Sequence, residues 1–387
     1  MLLWYNQSMA KRYDVSIIGG GMSGIVLAIS LKQKGIDCCI IEAKDRIGKK
    51  ILASGNGKCN ILNKDLSLSN YNNDFPKYAF EQYPVDKLID FYNSLGLILK
   101  EDEEGRIYPF SESANTVLNV FIEKLQTQCV PVLLNTKVTS IKKSNKQYII
   151  ETNNGEIESN IVVLSTGSNA TFGINAHALL APFSHKTTIL SQSLVPIRSN
   201  AIKGANGVKT KAIASLYINN KKVFEEYGEL LFKDGAISGI LAFKMSAYIA
   251  RERSKALAYI LIDFAPNIDE TKLKTILDSS PLDNPLLGIL HKAIAQNFKD
   301  SKNLAYDIKH FKADVQGLMG IDNAQVTSGG FDVSQFDSHT MESKNQENIY
   351  AIGEVLDVDG QCGGYNLAFA AASALVCSDS IQEKLCK

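Results

Sequence analysis

The chain of 387 residues is too long for one compact core, so its length predicts two or three domains. Its 41 basic and 41 acidic side chains balance, which excludes a global charge that would draw the protein to nucleic acid or to an anionic membrane. No stretch approaches the roughly 20 consecutive apolar residues that a membrane span requires. Seven cysteines without a CxxC pair, five scattered histidines and a start without a signal-peptide pattern predict a cytoplasmic protein that has no disulfide framework and no metal site.

The segment Tyr13–Glu42 predicts one complete βαβ unit. A short apolar run stops at Gly19, the spacing Gly19-x-Gly21-x-x-Gly24 follows, and an apolar helix then leads to a second buried run at Cys38–Ile41. In this context Gly19 makes a tight turn, Gly21 lets the backbone approach a pyrophosphate, and Gly24 lets the helix pack on the strand. The unit therefore predicts a dinucleotide site.

Both ends of this unit carry residues with a predicted role in binding. Met22 and Ser23 begin the helix, whose N-terminal N–H groups and positive dipole end favour phosphate. Glu42 lies 18 positions after Gly24, where its carboxylate can accept hydrogen bonds from the hydroxyls of an adenosine ribose. Because that carboxylate repels a 2′-phosphate, the unit favours FAD or NAD over NADP.

The loop after Glu42 is dense in glycine, small polar and basic residues. We expect Arg46 and Lys49 to neutralise phosphate, and a solvated basic loop is the open alternative for Lys49 and Lys50. The next residues have small or amide side chains that can line a planar ring closely: Ser54, Gly55, Asn56 and Asn60.

The sequence pattern changes in the middle of the chain. The buried run Ile161–Ser165 closes on Thr166 and Gly167, which predicts a second close approach of backbone to the dinucleotide. From about Leu190, short alternating runs with turns between them predict an antiparallel sheet or small barrel. A small helical insertion follows, and the strand pattern returns at Asp307–Val315.

The last informative segment predicts the other half of the site. A buried strand ends at Gly353 and Glu354, whose carboxylate can accept hydrogen bonds from a ribityl chain, and Asp357 follows closely. A second helix then begins at a glycine pair, with a predicted cofactor-binding set of Gly364, Asn366, Leu367 and Ala368. Its N-terminus would stabilise the anionic N1–C2=O edge of a reduced flavin, although a glycine loop before a core helix is the open alternative. Contacts from both ends of the chain favour FAD over NAD.

Together these motifs resemble the aminoacetone-oxidase-like and NAD(P)/FAD-dependent oxidoreductases related to a bile-acid-inducible flavoprotein, within the two-dinucleotide-binding-domain flavoproteins. The residues that carry the resemblance are Ile17–Gly24, Ser54–Asn60, Gly228–Phe232, Gly235–Gly239, Val326–Gly330, Thr340–Lys344 and Tyr350–Ala368. The resemblance implies an α/β fold with a discontinuous Rossmann-like FAD domain, an inserted antiparallel β-barrel-like domain and a small helical insertion. The corresponding ranges are 1–190 with 330–387, 191–245 with 308–329, and 246–307. It also implies that Ser54–Asn60 and Gly363–Ala368 flank the flavin, and that Val138 lies near the adenine.

The sequence leaves the reaction open among three hypotheses. No second GxGxxG follows a strand, so NADH or NADPH would bind transiently over the flavin to reduce it, and the enzyme would then reduce an unsaturated or carbonyl small molecule. The second hypothesis is an FAD oxidase of a small amine that uses oxygen. The third is a flavin-binding protein with a non-redox role such as nucleic-acid modification or sensing, for which Lys142–Lys146 and Lys203–Lys211 are the candidate basic patches.

Three residues beside the predicted flavin are candidates for the chemistry itself. Tyr365 could donate a proton, with packing as its alternative role. Cys59 and Cys362 could act as redox partners of the flavin, with burial as small apolar side chains as theirs. The sequence does not determine the substrate or the oligomeric state.

Overall fold

The computed structural model describes residues 11–168, 177–252 and 257–386. The chain divides into two compact units, of which the first comprises Met1–Leu190 with Thr327–Lys387 and the second Ser191–Val326. No helix in the described ranges is both long and apolar enough to cross a membrane.

The α-helices, numbered in chain order, are α1 (Met22–Gln33), α2 (Lys49–Ala53), α3 (Lys77–Gln82), α4 (Val85–Ser94), α5 (Ala114–Thr127), α6 (Ile240–Arg251), α7 (Glu270–Asp278), α8 (Lys292–Ala295), α9 (Leu304–Lys309) and α10 (Tyr365–Leu385). The strands are β1 (Lys11–Ile18), β2 (Cys38–Ile41), β3 (Leu62–Asn63), β4 (Leu99–Glu101), β5 (Arg106–Pro109), β6 (Val132–Leu133), β7 (Val138–Ser144), β8 (Gln147–Thr152), β9 (Gly155–Leu164), β10 (Ser191–Ser193), β11 (Ile197–Arg198), β12 (Lys209–Ile218), β13 (Lys221–Lys233), β14 (Ala236–Ser238), β15 (Ala258–Asp263), β16 (Phe311–Asp314), β17 (Gly317–Leu318), β18 (Val326–Ser328) and β19 (Ile349–Ala351).

The main sheet of the first unit has the order β6-β2-β1-β9-β8-β7, with β19 paired to β9. The pairs β1–β2, β1–β9, β2–β6 and β9–β19 are parallel, so these strands end at one common edge. Strands β7, β8 and β9 form the antiparallel part, in which a tight turn with the sequence Asn-Asn-Gly joins β8 to β9. Strand β2 and the run Met22–Leu31 of α1 are fully buried. Because each is covered on all sides, both have a largely apolar sequence without a polar face.

The second unit contains one antiparallel sheet of order β16-β15-β12-β13-β14-β11-β17. The prediction of a small helical insertion at 246–307 is wrong in one respect, because the strand β15 lies inside this range and pairs with both β12 and β16. The predicted strand Asp307–Val315 is also partly wrong, since α9 extends to Lys309 and the strand begins only at Phe311. Both errors concern elements whose state depends on partners distant in sequence. The α/β fold class with a parallel Rossmann-like sheet and separate antiparallel sheets is confirmed.

Candidate cofactor site

The glycine loop between β1 and α1 has the geometry that the sequence predicts. Gly19 has φ of +112°, and a Cβ built there would lie 2.5 Å from the Ser165 carbonyl oxygen. A Cβ on Gly24 would lie 2.1 Å from the Gly19 oxygen, so the helix packs directly on the turn. A Cβ on Gly21 meets nothing within 4 Å, which leaves open space in front of the helix.

The start of α1 faces this space. Gly21 is the N-cap and has no side chain to satisfy the first N–H groups of the helix. The amides of Met22 and Ser23 lie in that first turn, where helix geometry provides no intrahelical acceptor. An anionic diphosphate is the ligand that such a turn favours.

Glu42 is fixed at the edge of the same loop. Its Oε2 accepts a hydrogen bond from Gly20 N (2.8 Å) and its Oε1 accepts one from Lys44 N (2.8 Å). The next strand passes close by, since Thr136 N donates to the Glu42 carbonyl oxygen (2.9 Å), and the nearly buried Val138 begins β7 two residues later. A carboxylate has about four acceptor positions, so Glu42 keeps capacity for ribose hydroxyls.

The C-terminal part of the chain reaches the same edge through β19. Gly353 has φ of +68°, and a Cβ on it would lie 2.8 Å from Ser23 Oγ. The ends of β1, β9 and β19, with Thr166 and Gly167 after β9, therefore meet at the first turn of α1. The structure thus brings together the two predicted halves of the site.

Glu354 has partners that the sequence did not suggest. Lys50 Nζ donates to Glu354 Oε2 (2.5 Å), while Ser168 Oγ (2.7 Å) and Thr327 N (3.1 Å) donate to Oε1. No pattern in the sequence singled out Ser168 or Thr327, and a solvated loop was the open alternative for Lys50. Lys49 instead pairs with Asp45 (2.5 Å). Arg46 is exposed.

The loop Ser54–Asn60 is joined to the start of α10. Gly55 and Asn56 have left-handed backbone angles, with φ of 56° and 53°. The side-chain amide of Asn60 is oriented so that its oxygen accepts a hydrogen bond from Gly364 N (3.2 Å) and its nitrogen donates one to the Leu62 carbonyl oxygen (2.9 Å). Gly364 has φ of +96°, and a Cβ there would lie 2.3 Å from the same carbonyl oxygen. Loop and helix start therefore form one rigid unit.

Other predicted residues stabilise the loops of this region. The carboxamide of Asn366 accepts from Gly360 N (2.8 Å) and donates to the Gly360 carbonyl oxygen (2.9 Å), so it supports the loop before α10. Asp357 is nearly buried and accepts from Asn72 Nδ2 (2.9 Å), a partner that the sequence did not indicate. Leu367 packs half-buried against the core of the first unit, and Ala368 is fully buried.

The three candidates for chemistry occupy different environments. Cys59 is fully buried, and burial raises the pKa of its thiol to about 11, so it is not the accessible low-pKa thiol that redox exchange uses. Tyr365 packs edge-on against Tyr71 at 5.9 Å between ring centroids, and Cys362 is half-buried. A phenol that the sequence did not single out, Tyr108 on β5, interacts electrostatically with Cys362 and with Arg106, and burial raises its pKa.

The described residues fit a dinucleotide such as FAD. Open space lies in front of Gly21, an uncapped helix start faces it, and Glu42 stands at one side. On the other side, near Glu354, the buried hydroxyls of Thr166 and Thr327 have no hydrogen-bonding partner among the described residues. Buried hydroxyls without partners are uncommon, and a ligand rich in hydroxyl and phosphate oxygens would satisfy them.

The comparison with known proteins identifies the family of the chain. Residues 13–380 match the family described as "HI0933-like protein Rossmann domain". The chain belongs to this family. The chain is 31% identical over 406 residues to a 3-dehydro-bile acid delta(4,6)-reductase of Clostridium scindens, an alignment that covers 96% of this chain and 99% of the relative. It is 26% identical to a ribosomal RNA dihydrouridine synthase of Escherichia coli strain K12, covering 96% and 98% of the two chains.

A solved structure shows the same fold. The 3-ketosteroid delta1-dehydrogenase of Sterolibacterium denitrificans superposes with a TM-score of 0.53 at 12% identity, covering 97% of this chain and all of that one. The predictions of this flavoprotein family and of an FAD-dependent oxidoreductase are confirmed.

Proposed function

We propose that this protein uses FAD to reduce a carbon–carbon double bond conjugated to a carbonyl group, with NADH or NADPH as the reductant. The observation that carries the proposal is the near full-length similarity to two relatives whose names both describe the reduction of a carbon–carbon double bond. A 3-oxo-4,6-diene and the uracil ring of uridine differ in shape, yet each contains an alkene polarised by a carbonyl group. A family that acts on both would conserve the bond chemistry and vary the substrate pocket.

Different residues of the site would bind different parts of FAD. FAD, when bound, supplies hydride transfer. The Gly19–Gly24 loop and the first turn of α1 would hold the pyrophosphate, and Glu42 would hold the adenosine ribose. Glu354 would accept from the ribityl chain. The first turn of α10, fixed by Asn60, would place N–H groups toward negative charge on the ring.

Reduction of such a bond also needs a proton for the carbon next to the carbonyl. Tyr365, Cys362 and Tyr108 lie beside the rigid start of α10 and supply the candidate donors. Burial raises the pKa of Tyr108, so its phenol stays protonated at neutral pH, as a donor must.

We propose a small-molecule substrate in the cytoplasm rather than a nucleic acid. Lysines in both candidate basic patches are paired with carboxylates: Lys142 with Glu151, and Lys209 with Glu229 (3.0 Å). Such pairs lower the positive potential that phosphate binding requires. The overall charge balance points the same way.

Anaerobic mixing of the FAD-loaded protein with NADH or NADPH tests the reductant. We expect the absorbance of oxidised flavin to disappear with at least one nicotinamide. It should then return on addition of a 3-oxo-4,6-diene steroid, used as a probe of conjugated alkenes. A parallel sample with a uridine-containing oligonucleotide separates the two substrate classes. Flavin that neither nicotinamide reduces, together with peroxide formed from a small amine in air, would support the amine oxidase instead.

A further inference from the structure

The carboxylate of Glu354 lies in a closed network drawn from separate parts of the chain. Its donors are Lys50 on α2, Ser168 after β9 and the Thr327 amide in β18. Lys50 Nζ also lies 3.2 Å from Ser168 Oγ, which closes the network. Three of the about four acceptor positions of the carboxylate are thus used, and one remains for a ligand.

The ammonium group of Lys50 offsets negative charge at the candidate FAD site. A bound FAD brings a pyrophosphate with two negative charges to an edge that already carries the carboxylates of Glu42 and Glu354. Lys50 and Glu354 are only 29% and 17% exposed, so their mutual interaction is incompletely screened by water. Without the ammonium group, the Glu354 carboxylate would repel the incoming diphosphate and would lose a contact that fixes its orientation.

We propose that Lys50 is a positioning residue for FAD, which acts through Glu354 by offsetting its charge and orienting its remaining acceptor position. This role depends on FAD binding and not on the substrate or reductant proposed above. Lys50 would therefore set the affinity for the cofactor in the absence of any turnover.

Lys49 provides a matched control within the same helix. It has the same charge and is the preceding residue, but its ammonium group pairs with Asp45, whose side chain is 68% exposed. A general loss of positive charge near the site would affect both lysines equally. A role through Glu354 affects Lys50 alone.

The test measures the dissociation constant of FAD by titrating flavin-free protein and following flavin fluorescence. We expect Lys50→Met to weaken FAD binding about 10-fold, which corresponds to about 1.4 kcal/mol, while Lys49→Met changes it less than about twofold. Lys50→Arg keeps the charge and should stay within about threefold of the wild type. In the Glu354→Gln background, Lys50→Met should weaken binding by less than about threefold, because the carboxylate through which Lys50 acts is absent.

Several results would overturn this role. Equal losses for Lys50→Met in the wild-type and Glu354→Gln backgrounds would mean that Lys50 contacts the cofactor directly. Equal losses for the Lys49 and Lys50 variants would mean a general charge effect, and no loss would mean that the ion pair is irrelevant to FAD. Melting of each flavin-free variant checks folding. If Lys50→Met does not fold, the same double-mutant comparison is made with Lys50→Gln, and a Lys50→Arg variant that binds as weakly as Lys50→Gln refutes the role.

Discussion

Replacing Gly21 by valine should separate the fold of this protein from its ability to bind FAD. Gly21 has φ of −83° and ψ of −168°, an extended conformation that a valine adopts without strain. Its added Cβ meets no protein atom within 4 Å. Loss of the glycine N-cap costs about 0.5–1 kcal/mol. The reduced freedom of the unfolded chain offsets this by about 0.4–1 kcal/mol. The stability of the flavin-free protein should therefore change by less than about 1 kcal/mol.

The effect on the cofactor should be large, because the valine side chain would enter the space in front of α1. We expect FAD affinity to fall more than about 100-fold, since the diphosphate loses its approach to the backbone amides. The assay is an FAD titration of flavin-free protein, with thermal melting of the same samples.

Gly24→Val gives the opposite pattern and serves as the contrast. Its Cβ would lie 2.1 Å from the Gly19 oxygen and 2.6 Å from Ser165 Oγ, so the backbone must move. Overpacking of this kind costs about 1–3 kcal/mol and should lower the melting temperature of the flavin-free protein. A Gly21→Val protein that folds and still binds FAD with the wild-type affinity would refute the assignment of this loop to the pyrophosphate.

Two further predictions concern the loop Ser54–Asn60. Burial raises the pKa of Cys59 from 9.0 to about 11, so the folded state retains a proton that the unfolded state releases. The stabilisation that the buried, protonated thiol contributes is complete below pH 9 and is lost as the pH rises through 11. Between pH 8 and pH 11 the free energy of unfolding of Cys59→Ala, measured by urea unfolding, should therefore fall by about 2 kcal/mol less than that of the wild type. Equal losses in both proteins would contradict the burial of this thiol. Asn60→Ala should lower the free energy of unfolding by about 1–3 kcal/mol and weaken FAD binding, because Gly364 N and the Leu62 carbonyl lose their shared partner. An Asn60→Ala protein that is as stable as the wild type would show that this bridge is not needed.

The parts of the candidate site that could be predicted from the sequence are those in which a function requires a local pattern. Gly19, Gly21 and Gly24 act within one turn, and their spacing alone reveals them: an added Cβ on Gly19 or Gly24 would meet protein atoms, whereas Gly21 leaves the space in front of the helix open. Glu42 could be predicted in the same way, since it directly follows the second strand of one continuous βαβ unit. The strand end at Gly353 and Glu354 was also recognisable, because a buried run that stops at glycine marks a sheet edge.

The contacts that the sequence did not predict concern residues whose environment depends on distant partners. Lys49 and Lys50 are indistinguishable in sequence, but successive residues on a helix point about 100° apart, so only Lys50 reaches Glu354. Asn366 stays a predicted cofactor contact, and only the structure reveals that its carboxamide pairs with Gly360. Strand β15 lay in a segment predicted to be helical because pairing with β12 decides its state.

The sequence by itself determined the family of folds, the glycine loop between β1 and α1 and the acidic residues at two strand ends, because each depends on contiguous residues with a fixed period or spacing. Only the tertiary structure decided which lysine neutralises Glu354, which amide supports a loop and which cysteine is inaccessible. These depend on side-chain direction and burial, which arise when segments far apart in the chain pack together.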